Sequence, residues 1–250
     1  MAETILVTGA SAGFGQAICR RLVADGHRVI GAARRIEKLQ ALHEELGEAF
    51  YPLQMDVTDL TQVDHALASL PADWEQIDVL VNNAGLALGL APAQKAEIAD
   101  WLTMIQTNII GLTYLTRQIL PQMVERNDGY VINMGSTAGT VPYPGANVYG
   151  ASKAFVKQFS LNLRADLAGK QIRVTNIEPG LCEGTEFSSV RFKGDEKRVE
   201  ALYRDTHAIQ PEDIANTVSW LIQQPKHVNV NRIEIMPVSQ TFGPQPVYRG

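Results

Sequence analysis

The chain has 250 residues, 45% hydrophobic and 20% charged, with a net charge of −5. This balance fits one soluble α/β domain with a full core and argues against binding to nucleic acid or an anionic membrane surface. The opening Met1-Ala2-Glu3-Thr4 carries no basic segment, and no apolar run reaches the ~18–20 residues of a spanning helix, so a cytoplasmic location is expected. Cys19 and Cys182 form no CxxC pair and are read as small apolar residues without chemistry; no metal site is expected.

Ile5 to Thr8 reads as a strand running into Gly9-Ala10-Ser11-Ala12-Gly13-Phe14-Gly15, followed by a helix from Gln16 to Ala24. In that setting Gly9 allows a tight turn, while Gly13 and Gly15 let backbone and helix approach a pyrophosphate at the helix N-terminus. The second strand, Arg28 to Ala33, ends in Arg34-Arg35. An acid there would hold the ribose 2′-hydroxyl of NAD, whereas arginine accommodates the 2′-phosphate of NADP; NADP is therefore expected. The competing reading is a solvated basic pair opening the helix Ile36 to Leu46, and Ala12 adds no further cation. Phe50 to Met55 reads as a third strand, closed by Asp56-Val57 where an adenine ring would lie and Asp56 would accept a hydrogen bond from its amino group. A helix from Thr58 to Leu70 ends at Pro71, and a fourth strand, Ile77 to Val81, enters Asn82-Asn83-Ala84-Gly85, whose side-chain amides suit fixing a turn or a ligand.

Ile98, Leu102, Ile105, Ile109, Leu112 and Ile119 recur at helical spacing and predict one long helix from about Lys95 to Met123. Asn108 inside it is either exposed filler or placed for its amide. A fifth strand, Tyr130 to Met134, opens onto Gly135-Ser136, small residues at a strand end where open α/β sheets bind ligands. The next helix, Val148 to Leu167, puts Tyr149 and Lys153 four residues apart on one face. Such pairs are common by chance on amphipathic helices. As chemistry, an ammonium beside a phenol favours the phenolate, which lets a tyrosine exchange a proton with an alcohol or carbonyl. A sixth strand, Ile172 to Glu178, breaks at Pro179-Gly180. Residues 181–208 are polar and charged and read as a cover over a site or an ordinary surface insertion. A last helix starts at Gln210-Pro211-Glu212-Asp213, a seventh strand spans Asn229 to Met236, and the proline-rich tail 237–250 shows no period.

Thr8-Gly9-x-x-x-Gly13-x-Gly15, Asn82-Asn83-Ala84-Gly85, Asn108, Ser136, Tyr149-x-x-x-Lys153 and Pro179-Gly180 together resemble the short-chain dehydrogenase/reductase family in order and spacing along essentially the whole chain. Phe14 departs from the isoleucine common in that turn, and the glycine-rich end of the last strand is absent. Within the family the chain looks most like NADP-dependent 3-hydroxy acid dehydrogenases, on Ala84-Gly-Leu-Ala-Leu-Gly89, Asn147-Val-Tyr-Gly-Ala151, Ile177-Glu-Pro-Gly180 and Gly184-Thr-Glu-Phe-Ser188; sulfoacetaldehyde reductases are a sister group.

The resemblance implies a single Rossmann-like, doubly wound parallel sheet of about seven strands and an NADP-dependent oxidoreductase. It implies catalysis by Asn108, Ser136, Tyr149 and Lys153: Tyr149 as acid/base, Lys153 lowering its pKa, Ser136 on the substrate oxygen and Asn108 holding a water. NADP contacts are implied from Gly9, Ser11, Gly13, Phe14, Gly15, Arg34, Arg35, Asp56, Val57, Asn83, Ala84, Gly85, Tyr149, Lys153, Pro179, Gly180, Leu181 and Thr185. Substrate contacts are expected from Ser136, Tyr143, Asn147, Tyr149, Ser189 and Arg191, with Arg191 suited to a carboxylate and the neutral donors Tyr143 and Ser189 to a sulfonate. A homotetramer is implied, with Phe242 and Tyr248 of the tail ordered against a neighbour. A dead-site NADP(H) sensor would not need serine, tyrosine, lysine and asparagine together, and an NAD-linked polyol dehydrogenase should carry an acid after the second strand.

Overall fold

The computed structural model of the protein describes residues 2–243. Seven parallel strands form one sheet: β1 (Thr4–Thr8), β2 (Arg28–Ala33), β3 (Phe50–Gln54), β4 (Val79–Asn82), β5 (Gly129–Met134), β6 (Ile172–Pro179) and β7 (Arg232–Ile235). Their order is β3-β2-β1-β4-β5-β6-β7, so the chain reverses its winding between β1 and β4. Loops part at that switch and leave a crevice beyond the strand C-termini.

The strands β1, β2, β4 and β5 are largely apolar on both sides because helices cover both sides, whereas the edge strand β7 leaves Arg232 and Glu234 exposed. Along β1, Ile5 and Val7 join one core cluster while Leu6 joins the other, the two-residue period of a strand sorting its side chains. The first cluster is covered by α1 (Gly13–Ala24), α2 (Ile36–Leu46) and α9 (Pro211–Gln223), through residues such as Ile18, Leu39 and Val218. The second is covered by α3 (Leu60–Ala68), α5 (Leu112–Arg126) and α6 (Asn147–Asp166), through Val63, Leu115 and Leu163. Arg173 is buried yet paired: it donates to the carbonyls of Leu221 and Gln224 at the end of α9, both at 3.1 Å, with its guanidinium 4.0 Å from the Tyr130 ring. A cation there answers the exposed carbonyls of a helix C-terminus.

The predicted long helix is broken in character though not in course. α4 (Ile98–Ile105) starts three residues after the predicted Lys95, passes into a π-helical turn at Gln106–Gly111, and continues as α5 to Arg126. Sequence periodicity misses one wide turn because apolar spacing on either side still fits a helix. Gly111 is required inside it: a Cβ there would lie 2.6 Å from the carbonyl oxygen of Val57. The predicted β3 and β7 are shorter than expected at their ends, and β4 is shifted to Val79–Asn82.

The adjacent asparagines divide their work between two faces. Asn82 donates to Thr116 Oγ1 at 2.9 Å and to Asn133 Oδ1 at 2.8 Å, and Asn133 donates to Ser160 Oγ at 2.9 Å. This buried polar chain fastens β4 and β5 to α5 and α6. Asn133→Ala would leave the Asn82 amide and the Ser160 hydroxyl each short of one hydrogen bond in the core, so we expect a loss of about 1–3 kcal/mol in a urea titration; an unchanged midpoint would mean that the chain contributes no net stability.

Residues 181–208 are ordered as α7 (Phe187–Arg191), α8 (Glu196–Tyr203) and their connections, lying over the crevice. They are held from both sides. Glu186 pairs with Arg35 and Lys38, while Lys193 pairs with Asp100 at 2.8 Å and the Gly89 N–H donates to the Arg191 carbonyl at 2.9 Å. The expected tail contact by Tyr248 lies outside the described residues; Phe242 lies within them and is exposed.

Candidate active site

One cavity of about 710 Å³ runs along the crevice. At one end it is lined by Ser11, Arg34, Arg35, Asp56 and Val57; at the other by Ser136, Tyr143, Tyr149, Lys153 and Arg191. Gly9, Gly13, Phe14, Asn83, Ala84, Gly85, Pro179, Gly180, Leu181 and Thr185 lie between and around them.

The glycine turn is built by steric need. Gly9 has φ 68° and Gly13 φ 49°, left-handed conformations that favour glycine. A Cβ on Gly15 would fall 2.2 Å from the Gly9 carbonyl oxygen, so Gly15 lets α1 seat on the turn without itself lining the cavity. Thr8 and Asn83 lock this turn to the end of β4: Thr8 Oγ1 accepts from the N–H groups of Asn83 (3.0 Å) and Ala84 (2.9 Å), and Asn83 Nδ2 donates to the Thr8 carbonyl at 2.8 Å. The open N-terminus of α1 is thereby aimed into the cavity, an arrangement that suits an anion. Arg35 reaches Ser11 Oγ from Nε at 3.2 Å and from Nη2 at 3.1 Å. Asp56 holds its own turn through Oδ1, which accepts from the Thr58 N–H at 2.9 Å and from Thr58 Oγ1 at 2.8 Å.

At the other end Tyr149 is 7% exposed and its ring lies 5.7 Å from that of Phe187. Burial pushes its phenol up to about 12, against the pull of the facing Ser136 hydroxyl and of Arg191. Lys153 is also buried, which drives its ammonium down to about 8. Its Nζ donates to the Met134 carbonyl at 2.8 Å and lies 5.9 Å from the Tyr149 ring centre. The expectation that Lys153 lowers the pKa of Tyr149 is therefore corrected for this structure: desolvation outweighs every nearby charge, and Ser136 and Arg191, not Lys153, oppose it.

Asn108 has a structural task of its own, and two expected substrate contacts, Asn147 and Ser189, lie away from the cavity. Asn108 accepts from the Leu86 N–H at 2.9 Å and donates to the Leu86 carbonyl at 2.9 Å and to Ser152 Oγ at 3.0 Å. Ser152 in turn donates to the Tyr149 carbonyl at 2.8 Å, so the Asn108 amide clamps the loop after β4 to α6. Asn147 does not line the cavity; its amide donates to the Ala91 carbonyl at 3.1 Å and accepts from the Val148 N–H, which anchors the start of α6. Ser189 also points away, donating to Glu196 at 2.6 Å, and its neighbour Ser188 lines the cavity instead, bonded to Tyr203. A helix turns adjacent residues by about 100°, so a loop reading cannot tell which serine faces inward.

Phe187, Tyr203 and Gln240 line the cavity without having been singled out from sequence. Gln240 Oε1 accepts from the Leu181 N–H at 2.7 Å. Aromatic residues in an otherwise charged cover were the available signal for the first two; nothing in the sequence distinguishes Gln240.

The profile of the family described as short chain dehydrogenase matches residues 3–196. The chain belongs to that family. Relatives within the short chain dehydrogenase family agree along the full length. NADP-dependent 3-hydroxy acid dehydrogenase YdfG of Salmonella typhi is 60% identical over 245 residues, covering 98% of this chain and 99% of its own. Serine 3-dehydrogenase of Agrobacterium fabrum is 52% identical over 249 residues, covering 100% and 99%. Among solved structures, the closed form of a serine dehydrogenase complexed with NADP+ superposes with a TM-score of 0.98 at 57% identity, covering 99% of this chain and 100% of that one. The seven-stranded single-domain fold is thus the short-chain dehydrogenase fold. Among the described residues no helix is long and apolar enough to cross a membrane, and no cluster of three His, Cys, Asp or Glu side chains could hold a metal.

Proposed function

We propose that the chain is an NADP(H)-dependent oxidoreductase that interconverts a small 3-hydroxy acid, of the serine, allo-threonine or 3-hydroxypropionate type, and its semialdehyde or ketone. The observation that carries the substrate class is Arg191. Its guanidinium lies 5.4 Å from the ring centres of both Tyr149 and Tyr143, and its Nη2 is buried without a hydrogen-bond partner among the described residues. A buried donor left open at a cavity wall calls for a ligand acceptor. A carboxylate two carbons from a hydroxyl can meet that guanidinium while the hydroxyl meets Tyr149.

The residues fit NADP. The glycine turn and the N-terminus of α1 suit the pyrophosphate, Arg34, Arg35 and Ser11 suit the 2′-phosphate, and the residues that directly follow β2 in sequence, Arg34-Arg35, include no acid of the kind that holds a free 2′-hydroxyl. NADP held there would supply the hydride acceptor and donor for the substrate carbon. Tyr149 takes the hydroxyl proton on oxidation and gives it back on reduction. Ser136 donates to the same oxygen, Lys153, lining the same end of the cavity, reaches the nicotinamide ribose, and Arg191 fixes the carboxylate. Phe187 and Tyr203 close the apolar side and exclude water. The clamp through Asn108 and Ser152 holds the backbone of Tyr149 at its place.

Rates with L-serine, L-allo-threonine, 3-hydroxypropionate and isethionate, each with NADP+ and NAD+, test this reading. Turnover of the carboxylic acids with NADP+ is expected. Arg191→Lys keeps the charge and loses the planar fork, so KM for those acids should rise roughly 10- to 100-fold, the worth of a charge-assisted hydrogen bond of about 1.5–3 kcal/mol. An unchanged KM would remove Arg191 from the site. Isethionate as the best substrate would favour sulfoacetaldehyde reduction, though Ser189, one of the two neutral donors that reading relied on, faces away from the cavity. A cytoplasmic homotetramer is part of the same proposal. Ile98, Leu102 and Phe155 support it, being large apolar side chains exposed on α4 and α6.

A further inference from the structure

Three consecutive cover residues touch three parts of the cavity. A Cβ on Gly13 would meet Thr185 side-chain atoms at 3.0 Å, so Thr185 sits directly on the glycine turn. Glu186 follows, its carboxylate accepting from Arg35 at 3.1 and 2.8 Å and from Lys38 at 2.9 Å. Phe187 comes next and lies against Tyr149. The Glu186 carboxylate thus occupies Arg35, just past β2, and Lys38, in the first turn of α2, beside the Ser11 hydroxyl that Arg35 also reaches. Arg35 and Lys38 hold the Glu186 carboxyl down to about 2, so it is an anion throughout the neutral range. A 2′-phosphate carries about −1.5 to −2 charges at neutral pH and needs the same donors.

We propose that Glu186 competes with the cofactor's 2′-phosphate for Arg35 and Lys38, and so sets cofactor affinity from within the cover. This rests on the NADP reading above. The carboxylate is an internal substitute for the phosphate: it keeps two cations paired when the phosphate is absent and meets it as a like charge when it arrives.

The test is calorimetric titration of the cofactor-free protein with 2′,5′-ADP, which carries the 2′-phosphate, and with 5′-AMP, which lacks it. Wild type should prefer 2′,5′-ADP. Glu186→Gln should bind 2′,5′-ADP about two- to fivefold more tightly, the scale of a half-exposed ion pair, with 5′-AMP unchanged. The Glu186 side chain is 47% exposed and its hydrogen bonds run only to other side chains, so the variant should fold, and its 5′-AMP binding reports that it has. Equal or weaker binding of 2′,5′-ADP by the variant overturns the competition. If wild type shows no preference for 2′,5′-ADP, the 2′-phosphate site itself is wrong and the proposal falls with it.

Discussion

Tyr149→Phe should lower kcat and kcat/KM together by about 10²- to 10⁴-fold, the usual worth of general acid–base assistance, while 2′,5′-ADP binds as before. The substitution removes one oxygen from a buried ring that keeps its packing against Phe187, so no cavity opens and the fold should stand. The direction of the pH dependence follows from the phenol's position. With the phenol pushed up to about 12, the proton-accepting phenolate is scarce at neutral pH and increases as pH rises, whereas the proton-donating phenol is abundant. Oxidation should therefore accelerate with pH, and reduction should not. Residual oxidation by the phenylalanine variant should lose that rise. Normal turnover in the variant, or a rise with pH that survives it, would take Tyr149 out of the proton transfer.

Lys153→Met should abolish most turnover and yet make the protein more stable at neutral pH. Burial pushes the ammonium from its ordinary 10.5 down to about 8, which means that the folded state binds this proton less well than the unfolded chain does. Below pH 8 the folded protein bears the full cost of a desolvated cation. Between pH 8 and 10.5 the unfolded chain still holds the proton that the folded state has released, so this contribution to stability improves as pH rises and is fully recovered above 10.5. The cost at pH 7 is on the order of 3 kcal/mol at 1.36 kcal/mol per pKa unit. Leaving the Met134 carbonyl without its partner returns about 1 kcal/mol or more. A net gain of about 1–2 kcal/mol should raise Tm by roughly 2–8 °C in a chain of this size. Melts at pH 7 and pH 10 check the sign, since the gap between variant and wild type should shrink at the higher pH. A variant that melts lower at pH 7 would mean that the ammonium stabilises the fold, contrary to its burial.

The sheet and the cofactor crevice were legible because their causes are local. β1 is apolar on both faces, Gly9 and Gly13 meet conformations that other residues resist, and Arg34-Arg35 follow a strand directly. The substrate end was legible only in part. Arg191 stands where expected because a charged side chain in a cover is easily named, but Asn147, at the start of the long α6, is drawn to the Ala91 carbonyl of a loop far away in sequence, and Ser189, in the short α7, is drawn to Glu196 of the following helix. The pKa of Tyr149 ran opposite to expectation for a similar reason. Spacing shows that a lysine is near, whereas desolvation is set by the whole assembled wall.

The wide turn at Gln106–Gly111 gives the helix from Ile98 to Arg126 two independent angular settings. A π turn accommodates one more residue than an α turn, and each residue of an α-helix rotates its successor by about 100°. Deleting a single residue here would restore an unbroken helix and swing everything on its N-terminal side round by that angle. Ile98 and Leu102, now outward, would turn with it, and the Asn108 clamp on Leu86 would no longer be aligned with Ser152. One inserted residue thus acts as a phase shifter, letting one face of the rod address solvent while the next addresses the active site.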